Sequence, residues 1–132
     1  MLATLERYST VDPLLGAIFG YAEENVYKPA LDVTENNDEV VVVAELPGVK
    51  KEDVKVSFEN GILSIGGERK LNTLSGDARG LVRERRGGKF SRKLRLPNDI
   101  NAAAISAELT DGLLRIVLPK AESSRAREIS VR

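Results

Sequence analysis

The side chains that carry most proton-transfer and metal chemistry near neutral pH are missing: this 132-residue sequence contains no His and no Cys. The commonest general base and the commonest metal ligand are therefore absent together, and so are thiolate nucleophiles, Cys-held metals and disulfides. What remains is a chemistry of carboxylates, amines and guanidinium groups. Glu35, Asp38 and Glu39 are clustered, but without the alternating ligand spacing of a calcium loop; they read as turn and edge residues. Arg83, Arg85, Arg86 and Lys89 make a basic run around Glu84. Because 20 acids balance 20 bases over the chain, no net field draws nucleic acid, and the run reads as a solvated loop. No Gly-x-x-x-x-Gly-Lys-[Ser/Thr] loop is present to cradle ATP phosphates. The sequence predicts no metal and no cofactor, and the one catalytic reading left is a pair of carboxylates at a rim.

The remaining resource is apolar burial, and three stretches are placed to use it. Ile129-Ser130-Val131 sets two β-branched aliphatics on the same side of an extended strand. It follows Lys120 to Glu128, a polar stretch too poor in apolar area to order itself, which is expected to be a solvated tether. Near the other end, Leu2, Leu5, Tyr8, Val11, Leu14, Leu15, Ile18 and Phe19 recur at spacings of three and four, a helical period. Pro13, Gly16 and Gly20 break that run into short amphipathic pieces. They are either an ordinary helix on the domain's own core or a detachable apolar arm. The third stretch is Leu81-Val82, an apolar island inside the charged, Gly-containing interval Lys70 to Gly88. An interval that long is unusual in a compact domain unless it has a task. It is either a floppy hairpin loop or a loop that lends an edge strand to a partner.

The elements that must position these stretches are strands. Leu31-Asp32-Val33 alternates; Asn36-Asn37-Asp38 supplies a turn; Val40-Val41-Val42-Val43-Ala44 is a β-branched run suited to a strand buried on both faces. Leu46-Pro47-Gly48-Val49 ends it. Val54, Val56 and Phe58 alternate with Lys55, Ser57 and Glu59, a half-buried strand. Asn60-Gly61 and Asp111-Gly112 are hairpin turns, since both residues of each pair tolerate positive φ. Phe90 to Leu96 is a further strand, closed by Pro97. Short strands with turn signals at regular intervals predict an all-β antiparallel sandwich. A short helical N-terminal arm over residues 1–28 precedes the sandwich at 29–119, and an extended C-terminal tail over 120–132 follows it. No stretch approaches the ~18 apolar residues of a membrane span, and Met1 to Arg7 lacks the pattern of a secretory signal. A cytoplasmic protein is expected.

From about Pro29 to Val131 the chain resembles the small heat-shock proteins, the alpha-crystallin family, of bacterial and plant type. Four stretches in order carry the resemblance. They are Ala44-Glu45-Leu46-Pro47-Gly48-Val49 with Lys51-Glu52-Asp53-Val54; then Glu84-Arg85 leading to Gly88-Lys89-Phe90-Ser91-Arg92 and Leu96-Pro97. Next come Ala107-Glu108-Leu109 with Asp111-Gly112-Leu113-Leu114, and finally Ile129-Ser130-Val131, similar to the family's Ile-x-Ile/Val tail. The resemblance implies that the sandwich is the immunoglobulin-like alpha-crystallin domain and that the protein is an ATP-independent holdase, which binds unfolding client proteins and assembles as homodimers into a larger homo-oligomer. It implies a groove walled by Val54, Val56, Ala103, Ile105 and Ala107, between a strand at Val54–Phe58 and one at Ala103–Leu109. Ile129 and Val131 of a neighbouring subunit would plug it. It implies a dimer interface using Leu81, Val82, Arg83 and Arg92, with Arg92 pairing to a carboxylate of the other chain or to one in the exchange loop. The apolar arm, with Leu14, Leu15, Ile18 and Phe19, would take hold of clients.

Three other readings compete. A co-chaperone binding module of the CS type shares the sandwich but lacks the tail motif and the long loop. A carboxylate enzyme lacks its usual proton-transfer partners. A peripheral membrane stabiliser would use the arm as an interfacial helix, although the arm carries few cations.

Overall fold

A computed structural model describes residues 26–96, 99–126 and 129–132. The arm residues Leu14, Leu15, Ile18 and Phe19, and Pro97, lie outside the described residues. Among the described residues seven strands run in chain order: β1 Leu31–Glu35, β2 Glu39–Glu45, β3 Val54–Glu59, β4 Ile62–Arg69, β5 Gly88–Arg95, β6 Ser106–Thr110 and β7 Leu113–Pro119. They form a four-stranded sheet in the order β1-β2-β7-β6 and a three-stranded sheet in the order β3-β4-β5, with every pairing antiparallel.

The local chemistry behaves as the residue types require. Asn60 and Gly61 take φ of 52° and 77°, and Asp111 and Gly112 take 55° and 75°, the left-handed pair that a two-residue hairpin needs. The first hairpin joins β3 to β4 and the second joins β6 to β7. At the β1–β2 turn the Asn36 side chain accepts from the amides of Asp38 and Glu39, at 2.8 and 2.9 Å.

Period-two alternation then builds one core. Val40, Val42 and Ala44 of β2 and Leu114, Ile116 and Leu118 of β7 meet Leu63, Ile65 and Phe90 of the other sheet, all nearly inaccessible to water. The expectation that β2 would be buried on both faces is corrected: Val41 and Val43 are only half-buried. A single sheet packs on the inner face of the four-stranded sheet, so the alternate valines turn outward. The strand expected over Ala103–Leu109 also begins later. Ala102–Ala104 form a 3₁₀ turn, and pairing with β7 starts at Ser106.

Two long-range contacts tie the signature stretches together. The amide of Leu46 donates to the carbonyl of Gly112 at 2.7 Å, so the turn after β2 is bonded to the β6–β7 hairpin. Gly67 lies so close to the Asp53 carbonyl and to Phe90 that a methyl group there would overlap both; Phe90 Cζ would be 2.8 Å away.

Tyr27 adds to the edge of β5. Its amide donates to the Lys89 carbonyl at 3.1 Å and its carbonyl accepts from Ser91 at 3.2 Å, a parallel bridge opposite Phe90. Its ring packs beside that of Phe90 at 5.7 Å, with the Arg69 and Arg86 guanidinium carbons at 5.2 and 5.9 Å from its centre. Among the described residues no helix is long and apolar enough to cross a membrane.

Candidate functional site

Each sheet has two edges, and the edges β3 and β6 border a common groove, with no strand between them among the described residues. Alternation points Val54 and Val56 of β3 inward, and the register Ala107↔Ile116 and Leu109↔Leu114 points Ala107 and Leu109 inward from β6. Between them lies a groove of about 280 Å³, lined by Lys51, Val54, Val56, Ala107, Glu108, Leu109, Thr110 and Leu114. Leu114 is a core residue that forms part of the wall. The short side chain of Ala107 leaves volume that a larger residue would fill. Among the lining residues the Thr110 hydroxyl donates to Glu108 Oε1 at 3.1 Å, and Lys51 supplies the opposite charge.

Of the five residues expected to wall the groove, the structure brings Val54, Val56 and Ala107 together. Ala103 is exposed in its 3₁₀ turn, and Ile105 packs half-buried against the core; neither lines the groove. Sequence reasoning missed Lys51, Leu109 and Leu114 as lining residues. Leu109 was findable, because it follows Ala107 by the two-residue strand period. Leu114 was findable through the Asp111-Gly112 hairpin, which sets it opposite Leu109.

The other candidates are dispersed. Ile129 and Val131 are 84% and 96% exposed, so this chain's own tail does not occupy its own groove. Leu81 and Val82 are 84% and 77% exposed within residues 70–87, which form no regular strand, and Arg83 is exposed beside them. The base of that loop is held: Arg69 Nε donates to the Arg86 carbonyl at 2.6 Å, a second Arg69 nitrogen donates to the same oxygen, and a third reaches the Pro47 carbonyl at 3.4 Å. Arg92 differs from all of these. It points into the protomer from β5, is 9% exposed, and donates to the Pro29 carbonyl at 3.1 Å.

The stretch after β7 also differs from expectation. Lys120 to Arg125 is not a solvated tether: Lys120 is buried, Glu122–Ser124 form a 3₁₀ turn, and both bond back to the sandwich.

What this arrangement can do is bury aliphatic side chains supplied from outside. The groove lining combines aliphatic side chains with Lys51, Glu108 and Thr110, and the two strands on either side have unpaired backbone edges, the geometry that accepts an extended segment.

Comparison with known proteins points the same way. The model of the Hsp20/alpha crystallin family matches residues 32–132. Heat shock protein 16 of Schizosaccharomyces pombe is 45% identical over 104 residues, covering 76% of this chain and 71% of that protein. The solved structure of heat shock protein 16.0 from Schizosaccharomyces pombe superposes with a TM-score of 0.71 at 41% identity, over 80% of this chain and 99% of that one. A small heat-shock protein from Xylella fastidiosa, whose crystal structure is described as revealing a distinct high order structure, superposes at 0.67 with 37% identity, over 80% and 97% of the two chains.

Proposed function

This chain belongs to the Hsp20/alpha crystallin family, and we propose that it is an ATP-independent holdase that binds unfolding proteins and assembles as an oligomer of dimers. Membership places it among the small heat shock chaperones, which are not enzymes. The observation that carries the finer reading is the pairing of an open apolar groove with an exposed aliphatic pair on the same chain. Val54, Val56, Ala107, Leu109 and Leu114 line the groove, while Ile129 and Val131 project into solvent.

In this reading Ile129 and Val131 of one subunit fill the groove of a neighbour. Burying each side chain stabilises by roughly 1.5–3 kcal/mol before ordering costs. Association entropy and tail ordering cancel much of that, so a single plug is weak, about millimolar or weaker. Many plugs in one assembly hold through avidity while each opens readily. An opened groove and the apolar arm with Leu14, Leu15, Ile18 and Phe19 then take hydrophobic segments of a client. Because apolar burial is non-directional, the client range is broad.

Within the dimer, Leu81 and Val82 supply an edge strand to the partner subunit, with Arg83 beside them. The exposure of both aliphatics on a loop whose base is anchored by Arg69 supports this reading. The hydrogen bond from Arg92 to Pro29 supports a role in bracing β5 beside that interface.

The test is suppression of light scattering from a heat-unfolded client without ATP, run beside multi-angle light scattering of the protein alone. The expected result is a mass well above the dimer and dose-dependent suppression. A monomer that leaves the client's aggregation curve unchanged overturns the reading and favours a CS-type docking module.

A further inference from the structure

The chain does not become free where β7 ends. The Pro119 carbonyl accepts from Asn101 at 2.8 Å, the Lys120 amide donates to the Asp38 carbonyl at 2.8 Å, and the Ala121 amide donates to the Asp99 carbonyl at 3.0 Å. The next turn then closes on the same frame. The Ser124 hydroxyl reaches Asp99 Oδ2 at 3.4 Å, and Arg125 Nε donates to the Lys120 carbonyl at 3.2 Å. One side of this root is bonded to the β1–β2 turn and the other to the segment before β6.

At its centre, Lys120 Nζ is 2.6 Å from Glu35 Oε1; the lysine side chain is 8% exposed and the glutamate 45%. Arg92 and Lys120 are the charged residues that are buried among the described residues. An ammonium that deep requires an acceptor, and the pair adds little net stability over an apolar substitute. What such a pair does well is hold one geometry.

The consequence is a matter of reach. Between the clamped Arg125 and Ile129 stand only Ala126, Arg127 and Glu128, so an extended chain carries Ile129 at most about 14 Å from Arg125. Were the root loose from Pro119 onward, the same residue would range over about 35 Å. The clamp thus cuts the volume that the aliphatic pair sweeps by about fifteen-fold, and raises its effective concentration at a correctly placed groove accordingly.

We infer that the buried Glu35–Lys120 pair is a positioning device that aims the tail, so that Ile129 and Val131 reach a neighbouring groove in one relative orientation and a narrow range of assembly sizes results. This rests on the reading that the tail plugs a neighbour. Lys120 and Glu35 touch neither the groove nor the plug; they act through the root.

The absence of Cys allows a direct test. Nitroxide labels at Ser57→Cys and Ser123→Cys, both exposed positions, report the root's position on the sandwich by pulsed dipolar spectroscopy, with labelled subunits diluted in unlabelled protein. The expected result is one narrow distance distribution, several-fold broader after Lys120→Met and after Glu35→Gln. Native mass spectrometry of the same variants should show the assembly spreading over at least a two-fold range of mass. A distribution as narrow in both variants as in the parent overturns the clamp. A broadened distribution with an unchanged spread of mass overturns its role in assembly. Ile129→Ala with Val131→Ala reads the plug separately: it should lower the mass and leave the label distance narrow. If that variant keeps the parent's mass, the plug fails while the label distances still judge the clamp. Should Lys120→Met not fold, Glu35→Gln decides, since it removes the charge at a half-exposed carboxylate.

Discussion

The guanidinium of Arg92 donates to the carbonyl oxygen of Pro29 at 3.1 Å, joining residues 63 positions apart in the chain. The bond lies where the segment through Tyr27 runs along the edge of β5 before entering β1. It makes Arg92 a structural residue of the protomer whatever it does between protomers.

Arg92→Ala should therefore lower the stability of the fold itself by about 2 kcal/mol, since it strips a charged donor from a buried carbonyl. Urea unfolding checks this, and Arg92→Lys should restore only part because an ammonium lacks the planar fork. An unchanged midpoint accompanied by weaker dimers would confine Arg92 to the interface.

Gly67→Ala is expected to destabilise by about 1–3 kcal/mol or prevent folding, because a methyl group has no room between the Asp53 carbonyl and Phe90. Gly66→Ala, in the same strand and with its nearest neighbour, the Phe90 carbonyl oxygen, at an ordinary 3.7 Å, controls for loss of backbone freedom alone. Thermal melts of the two should separate by several degrees.

Ala107→Phe should fill the groove from within while leaving the strands paired. Its far-UV spectrum should match the parent's, and its mass by light scattering should fall toward the dimer. Ile129→Ala with Val131→Ala should give the same fall, and the two changes together should add little, because they remove one contact. Fully additive losses would show that groove and tail act on different partners.

Removal of residues 1–25 should abolish large assemblies and weaken client protection at least several-fold in a light-scattering assay. The cut must stop there, because Tyr27 is buried and bridges β5; a deletion through Lys28 would also remove a core side chain. Full protection after the shorter deletion would show that the arm takes no part in holding clients.

The strands and hairpins were legible in the sequence because their causes are local. Asn60-Gly61 and Asp111-Gly112 impose left-handed backbone wherever they occur, and the alternation of Val54, Val56 and Phe58 assigns them to one face before any partner strand is known. The absence of His and Cys closed off most chemistry on composition alone, and the exposed pair Ile129 and Val131 stood out by type and spacing.

Tertiary structure decided which edges stay unpaired and what faces them. The groove exists because β2 pairs with β7 and leaves β6 at one edge of its sheet while β3 takes the edge of the other, a choice made between strands far apart in the chain. Stacking of the two sheets sets Leu109 and Leu114 across the groove from Val54 and Val56 and turns Arg92 toward Pro29, and closure of the chain after β7 on the β1–β2 turn buries Lys120 against Glu35. Periodicity assigns a residue to a face of its own strand; whether water, core or an opposite charge meets that face depends on contacts that close only when the sheets stack.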